Sequence, residues 1–281
     1  MRPLDIASRM NLNAGSFIVT LYGDAVVPRE GPLWTGNIIE ICERVGISET
    51  LVRTAVSRLV ASGRLEGERH GRRSYYGLTQ AARREFDDAA RRIYGLEEGA
   101  AADWVIAAEG DAEMLSGYGF AHLGSGTFIA SETAAARARS TLGAALSAKL
   151  VFRAELEHSG HAGALREFGK AHWPLKQLEA EYATFINLFG ALTCPEASEW
   201  DAVALRLLLV HAFRKAALKD PALPAEALDG EWIGTKAREK FTILYAALSR
   251  AVEPFLDAQL RGPEGLLTVD RVIVEQRIGG I

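Results

Sequence analysis

Between Trp34 and Gly63 apolar residues recur twice at helical spacing, with Gly46 separating the two stretches. The first stretch turns Ile38, Ile39, Ile41 and Cys42 to one side, with Thr35 placed to cap it. The second follows Ser48 as cap, turns Leu51, Val52, Ala55, Val56, Leu59 and Val60 inward, and stops at Gly63. Its other side carries Ser48, Glu49, Thr50, Arg53, Thr54 and Ser57, short polar groups plus an arginine. The period then drops to two. Leu65–Arg69 reads as a strand, His70-Gly71 as a hairpin turn and Arg72–Leu78 as the return strand, with Tyr75 and Tyr76 on opposite faces. Two helices at a sharp turn followed by a hairpin have the grammar of a winged helix-turn-helix.

Asn13–Gly23 precedes this module as a helix with Phe17, Ile18, Leu21 and Tyr22 as its apolar stripe, and Thr79 opens another that closes at Gly95. The pattern then shifts. Trp104–Ala108 predicts a strand, Asp111–Leu115 a helical turn, and Tyr118–His122 and Thr127–Ala130 two further strands. Ser131 caps a helix to Leu142, Ala148–Leu156 is a strand, and His161–Gly169 is helical. That order predicts a ferredoxin-like (Cas2-like) sandwich. From Pro174 the chain reads as helices over LKQLEAEYATFINLFGAL, Glu199–Ala217 and a last one from Thr235, with a mobile tail after Arg261 in which TVDRVIVEQRI could add an edge strand. The fold class expected is α+β, with residues 1–95, 96–172 and 173–281 as a winged helix, a ferredoxin-like centre and a helical C-terminal domain for dimerisation and effector binding.

Composition adds three points. The 281 residues are 48% hydrophobic, enough for more than one core. There is no apolar run of membrane-spanning length and no signal-peptide core, so a cytoplasmic protein without membrane contact is expected. Cys42 and Cys194 lack metal-ligand spacing and read as reduced core residues. The net charge of −4 opposes a nucleic-acid partner only on average. Residues 1–95 carry 14 arginines and no lysine against 11 acids, a surplus of three positive charges, while the remaining 18 basic and 25 acidic residues leave seven negative. Arginine is the better phosphate fork.

The chemistry of the first domain points to duplex DNA. Arg53 and Ser57 are the candidates for base edges in the major groove. Arg58, Arg69, Arg72 and Arg73 are the candidates for phosphates or the minor groove, with Thr35, Ser48, Glu49, Thr50, Thr54 and Tyr75 in the same interface. An arginine-tipped hairpin also serves simply as a solvated, aggregation-resistant edge; its place directly after two such helices favours the DNA reading. An enzyme is the rival class. His158, His161 and His172 lack carboxylates or histidines at metal-binding spacing, and no nucleophile elbow, P-loop or dinucleotide fingerprint occurs. Small metal-dependent nucleases share the ferredoxin-like sandwich and use an aspartate near the end of the first strand. Asp111 lies near that position, where the plainer role is a helix cap. No catalytic residue, metal or cofactor is expected.

Three segments carry a family likeness: SFIVTLYGDAVVPREGPLWTGNIIEI, GISETLVRTAVSRLVASGRLEGERHGRRSYYGLT and LLLVHAFRKAALKDPALPAEALDGEWIG. Through them the chain resembles the PaaX family of transcriptional repressors of phenylacetate breakdown. The resemblance implies a homodimer that binds a palindromic operator and releases it when phenylacetyl-CoA or a related aryl acyl-CoA binds. For such an effector the sequence offers Phe168, His172, Trp173, His211, Arg214, Lys215 and Trp232, expected between the central and C-terminal domains. An acyl-CoA has an aromatic end for Trp and Phe to cover and phosphates for Arg and Lys to meet. The same tryptophans also fit a core, and Arg214 and Lys215 a solvated helix end.

Overall fold

In the computed structural model, residues 2–96, 103–157, 160–161, 163–193 and 198–279 are described. The chain is α+β. In order, its elements are α1 (Pro3–Ala7), α2 (Ala14–Leu21), β1 (Arg29–Glu30), β2 (Leu33–Trp34), α3 (Thr35–Glu43), α4 (Glu49–Ala61), β3 (Leu65–His70), β4 (Arg73–Leu78) and α5 (Gln80–Tyr94). Then come β5 (Trp104–Gly110), α6 (Ala112–Ser116), β6 (Ala121–Gly124), β7 (Thr127–Ser131), α7 (Glu132–Leu142), β8 (Ala148–Ala154) and α8 (Ala164–His172). The last part holds α9 (Leu175–Phe189), α10 (Glu199–Ala217), α11 (Ile233–Gln259), β9 (Arg261–Gly262), β10 (Gly265–Leu266), β11 (Thr268–Val269) and α12 (Arg271–Gly279). Two compact units result. One comprises Met1–Leu96, Phe185–Arg214 and Arg238–Ile281, the other Glu97–Thr184 and Lys215–Ala237. They cut across the three consecutive segments expected from the sequence.

In the first unit, Asn13 caps α2 by accepting from the Ser16 amide at 3.1 Å, which frees the following stripe to bury Phe17, Ile18 and Leu21. The helix does not stop at Gly23 as expected. It widens into a π-turn over Tyr22–Val26, closed by the Val27 amide on the Tyr22 carbonyl at 2.8 Å. The extra residue in that turn places Asp24 in the interior, 1% exposed. β2 pairs with β4 and β4 with β3, giving a three-stranded sheet in the order β2-β4-β3. Trp34, not Thr35, is the residue before the first turn of α3. Thr35 is already helical, buried, and donates its hydroxyl to the Ser74 carbonyl at 2.7 Å, because the strand pairing of β2 runs directly into the helix.

The tail expected to be mobile is ordered over the described residues. β9 and β10 form a short hairpin, β11 pairs with β1, and α12 buries Arg277. Arg277 donates to the carbonyls of Gly23 and Asp24 at 2.8 and 3.1 Å and lies 4.6 Å over the Tyr94 ring.

The second unit contains an antiparallel sheet in the order β6-β7-β5-β8. One core joins Val105, Ala107, Phe128 and Ala130 of the strands to Leu115 and to Ala134, Ala135 and Ala138 of α7. The alanines let α7 lie close to the sheet. Asp111 and Ser131 cap α6 and α7 through bonds to the Met114 and Ala134 amides. A second core gathers Trp104, Ala121, Trp173, Leu175, Leu223 and Ala227.

Candidate nucleic-acid interface

The candidate interface is built on α4 and the β3–β4 hairpin. Gly46, at φ +82°, makes the turn out of α3, where the Ile47 amide bonds back to the Cys42 carbonyl at 3.0 Å. Ser48 occupies the cap position but its hydroxyl makes no capping bond. Val52, Ala55 and Val56 are buried beneath α4. Leu51 and Val60, expected inward, are 54% and 37% exposed. The six apolar positions cover about half the helix circumference, at about 100° per residue, and a packed face is narrower than that, so the outermost two are left at its edges. Burial raises the thiol pKa of Cys42, on the facing side of α3, to about 12.

Ser48, Glu49, Thr50, Arg53, Thr54, Ser57 and Arg58 are all exposed, forming one polar row. Arg53 is not loose: its guanidinium is held by Glu49 one turn back, at 2.6 and 2.8 Å. Thr54 donates its hydroxyl to the Thr50 carbonyl at 2.9 Å. Arg58 forms no ion pair among the described residues.

The hairpin departs from expectation by one residue. His70 pairs with Arg73, so the two-residue turn is Gly71-Arg72, with Gly71 at φ +61°; glycine in the first turn position admits the left-handed backbone that matches strand twist. Arg72 therefore sits at the tip. Arg69 is curled back, its Nε donating to the Gly71 carbonyl at 3.1 Å. The Arg73 guanidinium lies 5.1 Å over the Trp34 ring, which orients it without neutralising it. Tyr75 is buried, with the edge of His70 against it at 5.7 Å, and is no candidate contact. Thr35 is withdrawn for the same reason, since both its exposure and its hydroxyl are spent inside the fold.

The residues proposed for an effector are divided between the two units. His211 and Arg214 belong to the first unit; Phe168, His172, Trp173, Lys215 and Trp232 belong to the second. His211 is buried, 2.8 Å from the Thr20 hydroxyl and against the Phe17 ring, a core histidine with its polar need met. Trp173 is a core residue too: its indole N–H donates to the Gly119 carbonyl at 2.8 Å, and it packs on Trp104 and Phe168. Trp232 packs edge-on against Tyr182. His172 and Lys215 are exposed, with the His172 ring 4.5 Å from Phe168. Arg214 is half-buried and donates to the Ser16 carbonyl and hydroxyl at 2.9 and 2.7 Å. Asp111 is a helix cap, and among the described residues no group of three or more His, Cys, Asp and Glu side chains could hold a metal ion. Cys194 and His158 lie outside the described residues. His161 accepts from the Gly163 amide and lies 3.6 Å from Glu167.

Sequence reasoning missed an ionic network in the first unit. Arg206 of α10, 1% exposed, contacts Asp24 at 2.9 Å and also Glu253 and Ser249. Arg29 bridges Glu253 and Asp257, each at 2.7 Å. The hydroxyls of Tyr94 and Tyr245 donate to Asp24 at 2.8 and 3.1 Å. Burial pushes the Glu253 carboxyl up, but Arg206 and Arg29 more than reverse this and hold it below the ordinary glutamate range. Burial and the Asp24 charge push both tyrosine hydroxyls well above theirs. The signal in the sequence was a charge inside an apolar run, Arg206 within ALRLLLV and Asp24 within LYGDAVV.

Residues 13–82 match the family model described as PaaX-like protein, and residues 173–258 the one described as PaaX-like protein C-terminal domain. The transcriptional repressor PaaX of Escherichia coli (strain K12) is 31% identical over 284 residues, covering 95% of this chain and 90% of its own. Among solved structures, the uncharacterized protein Rv0674 from Mycobacterium tuberculosis is similar, at 19% identity and a TM-score of 0.49, over 78% of this chain and 89% of that one. With both family models matched and a relative of this identity aligned over almost its whole length, the chain belongs to the PaaX-like protein family, that of the transcriptional repressor PaaX.

Proposed function

We propose that the chain is a sequence-specific DNA-binding repressor of an operon for phenylacetate breakdown, acting as a homodimer and released from its operator by an aryl acyl-CoA such as phenylacetyl-CoA. The observation that carries the DNA-binding part is the uninterrupted polar row of α4, with Arg53 exposed and pre-oriented, beside a hairpin whose tip is Arg72. In this reading α2 to α5 with β2, β3 and β4 form a winged helix-turn-helix, and the β6-β7-β5-β8 sheet with α6 and α7 forms a ferredoxin-like domain. α4 enters the major groove, Arg53 and Ser57 meet base edges, and Arg58, Arg69, Arg72 and Arg73 meet the backbone or minor groove. Two such helices related by a twofold axis read half-sites one helical turn apart, or a multiple of it.

The test is an electrophoretic shift on the DNA preceding the chain's own coding region, repeated with phenylacetyl-CoA, free phenylacetate and plain CoA. A salt-sensitive shift abolished by phenylacetyl-CoA and unaffected by the other two is expected. A protein that retards operator and unrelated duplex equally would overturn the reading. The effector part fails separately if the shift survives phenylacetyl-CoA.

A further inference from the structure

A cavity of about 730 Å³ lies in the first unit, between the start of α2 and the flank of α4. Its volume falls within the range of small-molecule sites. Leu12 and Val19 form one apolar wall, and Leu51 and Leu59 of α4 the other. Arg58, Arg64 and Arg214 also line it, and no carboxylate does among the described residues. Arg64 leans on Glu85 at 3.4 Å, and Arg58 has no ion pair among the described residues. Arg214 is the unusual member. It comes from α10, is half-buried, and among the described residues its hydrogen-bond partners are the carbonyl and hydroxyl of Ser16. Its Nε is buried without an acceptor among the described residues. A guanidinium taken out of water without a counter-ion is costly unless an anion completes it. Burial and then the nearby charge of Arg64 push its pKa down, consistent with a local excess of positive charge.

From these contacts we infer that the cavity is a binding site for an organic anion, a phosphate or carboxylate attached to an apolar group. The anion is held by Arg214 with Arg58 and Arg64, and the apolar part lies on Leu12, Val19, Leu51 and Leu59. The inference rests on the proposed function for its consequence. Thr54 and Arg58 line the cavity and also belong to the α4 row proposed to meet DNA. A ligand that occupies Arg58 withdraws it from phosphate, so ligand and duplex compete for one side chain. That difference in affinity between the free and DNA-bound protein is what a releasing effector requires.

The experiment uses the full chain, with phenyl phosphate and inorganic phosphate as probes in titration calorimetry without DNA. Phenyl phosphate is expected to bind more tightly than inorganic phosphate. Arg214→Gln, which removes the half-buried charge, and Val19→Trp, which obstructs the apolar side of the cavity and leaves every arginine in place, should each weaken it at least about tenfold, an effect of about 1.4 kcal/mol. Arg214→Lys should retain part of the binding. Thermal melts establish that each variant is folded; if Arg214→Gln is not, Val19→Trp decides. Equal binding of the two phosphates, or binding unchanged in Val19→Trp, overturns the site, as does absence of heat with phenyl phosphate. A further arm adds phenyl phosphate to the operator complex, where a rise in the duplex dissociation constant is expected. If the chain binds phenyl phosphate but no duplex, the site stands and the DNA-binding reading falls. If it binds duplex but neither phosphate, the site falls alone.

Discussion

Arg53 shows how much of a functional residue one side chain's surroundings decide. Its position on the polar side of α4 and its i,i+4 spacing from Glu49 both follow from the helical period, but that the two side chains pair is seen only in the structure. The pair contributes little to stability at an exposed site. Its use is to narrow the rotamers of Arg53 before DNA arrives. Arg53→Ala is expected to cost about 1–3 kcal/mol of operator affinity and to relax discrimination at one base position, measured by anisotropy titration against single-base operator variants at fixed salt. Unchanged affinity at matched salt would remove Arg53 from the interface. Thr35 and Tyr75 read equally well as polar contacts, yet both are turned inward, and the reason lies in β2, which pairs with β4 and draws them under the sheet. A strand of two residues has no periodicity to detect.

At the scale of elements, capping residues locate α5, α6 and α7 closely, because Thr79, Asp111 and Ser131 accept from amides three residues on, whereas α4 is located by its apolar period and Gly63, its Ser48 hydroxyl making no capping bond. The hairpin is legible to within one residue, and that residue matters: the shift places Arg72 at the tip and returns Arg73 to the strand, over Trp34. Arg72→Ala is therefore expected to weaken binding to all duplexes alike and to lower the salt slope by about one. Arg73→Ala, which also removes a ring contact, should reduce thermal stability as well. The two are separated by measuring salt-dependent binding beside thermal melts; identical behaviour would mean that Arg73 has no structural role. The π-turn escapes any reading of period, since one additional residue per turn is set by the demand for Asp24 inside and not by apolar spacing.

At the scale of the first unit, the interior is held by charges as well as by apolar contact. Asp24 and Arg29 come from one stretch of chain and Arg206, Glu253 and Arg277 from three others, and each is buried. Removing one partner leaves another unpaired, so Asp24→Asn and Glu253→Gln should each destabilise the fold by about 3–5 kcal/mol in denaturant melts at neutral pH. The acid response follows from Glu253. Its folded pKa is depressed, so its contribution is present above the ordinary glutamate value of about 4.3 and is lost as pH falls through the lower folded value. The stability difference between the wild-type chain and Glu253→Gln should close over that acid range; a gap constant down to pH 3 or so would exclude the network as its source. Ending the chain after Asp270 deletes Arg277 and its bonds to Gly23 and Asp24. This should lower stability by about 2–4 kcal/mol, seen as an earlier melt, whereas a mobile tail would be removed without effect. The sequence alone determined the α+β class, the two-helix-and-hairpin module, its arginine row and the family, because periodicity, caps and turn residues act over a few neighbouring positions. Only the tertiary structure decided which polar residues are buried, that the tail folds back, and that Arg214 lines a cavity with α4, since those outcomes depend on groups more than a hundred residues apart.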